Sequence, residues 1–245
     1  MIIDMHMHVD EIPALGWHMS AQQCIAAMDA AGIDAAVIMT ITDLPEVNPH
    51  ALQLIAEARD AFPGRLYPFA RIHPWYQEEA VRLLDCAVTE YGFRGLKLHP
   101  VTTIAHPAGK DTIQLIHAAA AHRVPTLFHC GDEPMTTPLS IAPAAAACPE
   151  ATIILGHMGG YFHVDEAIDV AEKFPNIVLE TSAMPYPEKI AKAVARIGPD
   201  RVIFGSDGPV CSPVLEREKV TLAGLSANEE QMVLGDNAER LLRIN

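Results

Sequence analysis

Basic side chains are scarce in this sequence of 245 residues: 17 lysines and arginines stand against 31 aspartates and glutamates, a formal charge of −14. Binding to nucleic acid draws its affinity from lysine and arginine neutralising phosphates, so this balance speaks against nucleic acid as a partner. Cysteines are few as well. The 5 present are odd in number and form no C-x-x-C pair, which argues against a disulfide framework and for a reduced, cytoplasmic compartment. Long apolar runs are missing. The longest stretch free of charged side chains is the 17 residues from Ile12 to Met28, and His18, Ser20, Gln22 and Gln23 interrupt it, so no membrane span is expected. The apolar-periodic sequence begins at Ile2, with no signal peptide ahead of it. Neither G-x-G-x-x-G nor G-x-x-x-x-G-K-S/T occurs, so a nucleotide-binding phosphate loop is not expected.

What is present is a beat. Half of the residues are hydrophobic, enough for a buried core and too many for a disordered chain. Short apolar runs recur at Ile2–His8, Asp34–Thr40, Leu66–His73, Gly95–Pro100, Pro125–Cys130, Thr152–His157, Asn176–Ser182 and Arg201–Asp207. Such near-continuous Val, Ile, Leu and Phe runs read as strands buried on both faces. Helical patterns fill the gaps: Ala21–Ala31 between Ser20 and Gly32, a stretch opened by Asn48-Pro49 and running to Ala61, Gln77–Tyr91, Asp111–His122, Leu139–Ala147, His163–Phe174 and Pro187–Ile197. The last helical material lies in Ser212–Asn245, with Ser226-x-x-Glu229 as a capping box. Eight strands alternating with helices predict an α/β fold, a single-domain (β/α)8 TIM barrel.

The sequence also holds 12 histidines. Six fall at predicted strand ends: His6, His8, His73, His99, His129 and His157; the eighth strand ends in Asp207. The C-terminal strand ends of such a barrel form its active face, so these residues converge in space. Side chains two apart share a face of a strand. The expected inward sets are Asp4, His6 and His8; Gly95, Lys97 and His99; Leu127 and His129; Ile153, Leu155 and His157; and Ile203, Gly205 and Asp207. His50, His117, His122 and His163 lie on helices and are expected at the surface, while His18 and His106 lie in loops that border the mouth. Asp4, one layer deeper, is expected to support the site or the fold, and Cys130 to pack. Trp17, Trp75, Tyr76, Tyr161 and Phe162 fall in mouth loops, where they either wall a pocket or pack the loops.

Nitrogen and oxygen donors at one mouth suit a catalytic divalent metal with a position left for water. His6, His8, His129 and Asp207 are the candidate ligands. Asp207 is also the candidate for accepting a proton, and His157 for polarising a carbonyl or moving a proton. Asp4-x-His6-x-His8, Leu127-Phe128-His129, Leu155-Gly156-His157-Met158-Gly159-Gly160 and Gly205-Ser206-Asp207-Gly208-Pro209 resemble the amidohydrolase superfamily. The nearest subgroup is the amidohydrolase-related branch that includes the aminocarboxymuconate semialdehyde decarboxylase group. Gly95-Leu96-Lys97-Leu98-His99-Pro100 and the terminal Leu234–Leu242 segment are similar to that branch too, so the likeness runs from residue 2 to residue 242.

The resemblance implies a distorted barrel and a metal centre of zinc, with manganese as the other choice. It assigns His6, His8, His129 and Asp207 to the metal and His157 to catalysis. One ion is expected, or two if Lys97 is a carboxylated bridge. The other readings of Lys97 are a cation for a substrate carboxylate, which is preferred, and a structural role. Arg71, His73 and His99 are further candidates for substrate binding. The leading functional expectation is a hydrolase that uses metal-bound hydroxide on a small amide, lactone or related carbonyl compound, carboxylated to suit Arg71 and Lys97. The alternative is a metal-dependent decarboxylase or hydratase acting on a small carboxylated substrate with the same residues. A small molecule is the expected partner, and a homo-oligomer such as a dimer follows by analogy alone.

Overall fold

Eight parallel strands pair side by side in chain order in a computed structural model. The structure describes residues 1–12, 16–41 and 49–244, and only the backbone of Trp17, Pro49 and His50. Asn48, expected to open the second helix, therefore lies outside the described residues, as do the side chains of Trp17 and His50. The barrel strands are β1 (Ile3–His8), β4 (Ala35–Met39), β5 (Leu66–Arg71), β6 (Gly95–Leu98), β7 (Thr126–His129), β8 (Ile153–Gly156), β9 (Ile177–Glu180) and β10 (Val202–Ile203). The first and last strands close the ring. Met7 bridges Gly208 in parallel, Met5 N–H donates to Phe204 O at 3.0 Å, and His8 N–H donates to Gly208 O at 2.7 Å. The predicted single-domain TIM barrel is the observed fold.

The helices are α1 (Ala21–Ala31), α2 (Pro49–Ala61), α3 (Glu78–Thr89), α4 (Pro100–Thr103), α5 (Lys110–Ala121), α6 (Pro138–Ala147), α7 (Val164–Lys173), α8 (Pro187–Ile197), α9 (Pro213–Thr221), α10 (Ala227–Gln231) and α11 (Asn237–Leu242). Their ends are chemically marked. Ser20 and Gln23 form a reciprocal capping box on α1, and Gly32 ends that helix at φ 64°. Ser226 and Glu229 form the predicted box on α10. A short antiparallel hairpin, β2 (Asp10–Ile12) with β3 (Trp17–Met19), was not expected; its three-residue strands are too brief to show a period. No helix among the described residues is long and apolar enough to cross a membrane.

Two apolar layers place the site. An inner cluster takes Val37, Phe69, Leu127, Ile154, Val178 and Ile203 from six strands, together with Ile3 and Met5. Ala238 and Leu242 of α11 join it. Phe69 fills the space beside Gly95, where an added Cβ would meet its ring at 2.3 Å. The outer cluster joins Met7, Leu96, Phe128, Leu155 and Phe204 to the helices.

Two of the expected inward sets are corrected by these layers. On β1 the inner residues are Ile3 and Met5, and a register shift between Asp4 and Met7 resets the alternation above them. On β8, Ile154 is inner while Ile153 and Leu155 face the helices. His157 reaches the mouth because the chain leaves the strand at Gly156 and turns through a left-handed φ of 63°.

Candidate metal centre

Hydrogen bonding fixes which nitrogens of the first two histidines are bare. His6 is fully buried, and its Nδ1 lies 3.0 Å from Glu180 Oε2. A carboxylate only accepts, so Nδ1 carries the proton and Nε2 keeps its lone pair. Burial, reinforced by the Lys97 cation, pushes His6 well below the usual histidine range, which keeps it neutral. The Nδ1 of His8 lies 3.2 Å from the Thr40 carbonyl oxygen, another pure acceptor. In a neutral His8 the bare nitrogen is therefore Nε2, and it faces Asp207 Oδ1 at 3.0 Å. His6 Nε2 faces the same oxygen at 3.4 Å. Acceptors that face one another call for a proton or a metal cation among them.

His6, His8 and Asp207 offer donor atoms within 4.8 Å of one another. Two imidazole nitrogens and a carboxylate oxygen are the donors that zinc and manganese take. The residues present therefore fit a divalent transition metal, and a site for one is present. Lys97 Nζ approaches His6 Nε2 at 2.8 Å, with the lysine only 1% exposed. Asp207 sits at φ 57°, just beyond β10. Burial alone would raise its pKa, but His6, His8 and His157 together hold its carboxyl well below the usual range.

A second group within the same 4.8 Å limit is His6, His157 and Glu180, all three buried. His157 Nδ1 lies 2.8 Å from Ser182 Oγ, and its Nε2 lies 3.1 Å from His129 Nδ1. His129 Nε2 in turn lies 3.3 Å from Glu133 Oε2. His129 thus stands beside both donor groups and belongs to neither. Burial lowers the pKa of both His129 and His157. Glu133 is held down at about 2, chiefly by its hydrogen bond to His129.

The remaining candidates divide. His99 stacks on His129 with ring centres 3.9 Å apart, and its buried Nδ1 has no hydrogen-bond partner among the described residues. Arg71 donates to Thr40 O at 3.2 Å and to Thr102 Oγ1 at 3.3 Å, half-buried at the end of β5. His73 accepts from Trp75 N–H at 3.3 Å and caps the turn Pro74–Tyr76. Asp4 supports the fold beneath: its Oδ1 accepts from Ser206 N–H at 2.9 Å and His6 N–H at 3.0 Å. Glu180, Ser182 and Glu133 were missed by sequence reasoning. The signal for the first was a carboxylate ending an otherwise apolar strand, Ile177–Glu180.

The amidohydrolase family profile matches residues 3–244. The chain matches none of the curated proteins it was compared with. Among solved structures it is similar to a 5-carboxyvanillate decarboxylase from Sphingomonas paucimobilis, at 16% identity and TM-score 0.78, covering 100% of this chain and 99% of that one. A 2,6-dihydroxybenzoate decarboxylase from Rhizobium aligns at 16% identity and TM-score 0.77, covering 99% and 98%. A dihydroxybenzoic acid decarboxylase from Polaromonas, solved with manganese and the inhibitor 2-nitroresorcinol, aligns at 19% identity and TM-score 0.77, covering 100% and 97%.

The expectation of a hydrolase is corrected by this comparison: these enzymes break a carbon–carbon bond and add no water. The physical reason is that a metal cradle beside a proton-transfer group serves both chemistries. The residues that suggested hydrolysis therefore carried no information about which bond breaks. With the profile spanning nearly every residue and the donor cradle at the barrel mouth, the chain belongs to the amidohydrolase family and is a metal-dependent enzyme.

Proposed function

We propose that this protein is a metal-dependent, non-oxidative decarboxylase of small carboxylated aromatic compounds, within the branch that includes the aminocarboxymuconate semialdehyde decarboxylase group. The observation that carries the reading is Asp207 Oδ1 facing the bare Nε2 atoms of His8 and His6 at 3.0 and 3.4 Å. The same barrel fold, in solved structures whose names state decarboxylation, supports the choice of reaction. His6, His8 and Asp207 hold one ion, and His129 is the fourth donor from β7. A divalent cation bound there supplies a Lewis acid that draws substrate oxygens toward it. Manganese and zinc both suit the donors.

The chain's own residues do the rest. Arg71 and Lys97 are the cations that receive the substrate's carboxylate and neighbouring oxygens, and His99 and His73 border them. Trp75, Tyr161 and Phe162 are exposed at the mouth and give a flat substrate an apolar wall. Asp132 accepts from Tyr161 N–H at 3.0 Å and Phe162 N–H at 2.9 Å, which holds that wall in place. Asp207, itself ionised, offers Oδ2 to relay a proton taken up from solvent to the carbon that bears the carboxylate. The carbon–carbon bond then breaks, its electron pair stays with that carbon, and carbon dioxide leaves. His157 steadies the charge as the proton moves.

The test is an assay of Mn2+- and Zn2+-loaded protein with 5-carboxyvanillate and 2,6-dihydroxybenzoate. One carbon dioxide released per product, with no oxygen from labelled water in that product, is expected. Water addition, or no carbon dioxide from a panel of hydroxylated aromatic acids, would sink the reading.

A further inference from the structure

Glu180 is enclosed by the sequences of its neighbours. The strand on one side ends in Gly156, and the chain continuing from β10 on the other carries Gly205. A Cβ at Gly205 would lie 2.2 Å from Glu180 Oε1, and one at Gly156 would lie 3.4 Å from Oε2. Gly205 leaves the space that this carboxylate fills, whereas a Cβ at Gly156 would first meet Phe128 O at 2.8 Å; the Glu180 side chain is fully buried. Four donors meet there. Oε1 accepts from Ser182 N–H at 2.6 Å. Oε2 accepts from Ser182 Oγ–H at 2.9 Å, from His6 Nδ1–H at 3.0 Å and from His157 N–H at 3.3 Å.

We propose that Glu180 is a positioning residue that dictates which nitrogen of both His6 and His157 carries the proton, with Ser182 passing the setting to His157. The proposal rests on the reading of His6 as a metal ligand and His157 as the residue beside the reaction. A single hydroxyl has one proton. Ser182 Oγ gives its proton to Glu180, so toward His157 it can only accept. His157 must then donate from Nδ1, across 2.8 Å, and its Nε2 is bare. The Nδ1 of His129, 3.1 Å away, is bare as well, because a neutral His129 donates from Nε2 to Glu133 Oε2 at 3.3 Å, so two lone pairs converge where a cation would sit. One buried carboxylate thereby turns the Nε2 lone pairs of His6 and His157 toward the mouth. The left-handed backbone of His157, at φ 63°, is held by the same carboxylate through its N–H. Carboxylates that accept from the far nitrogen of a metal-bound histidine raise its basicity as a ligand and fix its orientation.

The two residues are separable by experiment on the full chain. In long-range nitrogen–proton spectra of histidine-labelled, Zn2+-loaded and chelated protein, His6 and His157 are both expected to be protonated at Nδ1. Glu180→Gln is expected to disturb both patterns and to weaken Mn2+ binding, by chelator competition, about 10- to 100-fold. Ser182→Ala is expected to disturb His157 alone and to bind Mn2+ as wild type does. Wild-type spectra with either histidine protonated at Nε2 overturn the proposal; a metal seated among His6 Nδ1, His157 and Glu180 would give that result. Equal loss of Mn2+ affinity in the two variants also overturns it. The wild-type spectra need no variant to fold. If wild-type protein bound no metal, the metal reading of His6 would fail while the spectra still decided the role of Glu180.

Discussion

Gly205→Ala tests how tightly the barrel is built around its buried carboxylate. The new Cβ would stand 2.2 Å from Glu180 Oε1, 2.7 Å from Cδ and 3.1 Å from Cγ. Ordinary contact begins near 3.4 Å, so about an ångström of overlap must be relieved. If the strands separate, the cost is that of overpacking a filled core, about 1–3 kcal/mol. If the carboxylate swings away instead, it gives up hydrogen bonds from Ser182 and His6. Each bond to a charged group is worth about 1.5–3 kcal/mol. Either route, or a mixture, predicts a loss on the order of 2–5 kcal/mol, and thermal unfolding of a chain this size moves by about 2–4 °C per kcal/mol. Circular dichroism melts of chelated protein should therefore show Tm lower by about 4–20 °C. In a Glu180→Asp background the carboxylate is one methylene shorter, so the same Gly205→Ala change should cost less, and the double-mutant cycle should show coupling. A wild-type Tm for Gly205→Ala, or strict additivity with Glu180→Asp, would refute the cradle.

Three further outcomes follow from the geometry. Asp207→Asn should lower bound metal, measured by elemental analysis, and cut carbon dioxide release by at least about 100-fold; full metal content with full activity would contradict its place in the site. Burial raises the Asp4 carboxyl to about 7 from an ordinary 3.8. Between those values the folded chain holds a proton that the unfolded chain has lost, so stability falls as pH rises, by at most about 1.4 kcal/mol per unit. Urea melts of chelated protein from pH 5 to pH 8 should show that decline, and Asp4→Asn should flatten it; equal slopes would count against it. Burial also pushes the thiols of Cys148 and Cys211 up to about 11 and Cys24 up to about 12. Iodoacetamide at pH 8 should therefore label these three slowly until urea unfolds the chain, whereas rapid labelling in the native state would contradict the assignment.

Local chemistry made much of the fold legible. Ser20 and Gly32 bound the first helix on both sides, and Pro187–Ile197 begins and ends where its proline and glycine place it. The eight strands show in the sequence because burial on both faces leaves unbroken apolar runs. That same evenness hid which residues face in. Ile153, Ile154 and Leu155 are alike in chemistry, and only packing tells the inner Ile154 from its neighbours. The donors His6, His8 and Asp207 were legible because metal chemistry restricts residue types and a barrel gathers strand ends. The hydrogen bonds that orient them were not. Ser182 reaching His157 and Glu133 reaching His129 depend on side-chain directions in loops beyond the strands, for which the sequence has no period. The bond to be broken was equally hidden, since the cradle is common to both chemistries.

The closure of the ring between β1 and β10 also sets an order of events in the cell. His8 and Asp207 meet across that junction, 199 positions apart, so the three-donor cradle is incomplete until the last strand is in place. During synthesis the two early histidines leave the ribosome long before their carboxylate partner exists. Capture of a metal by all three donors, His6, His8 and Asp207, therefore waits until the two ends of the barrel have met.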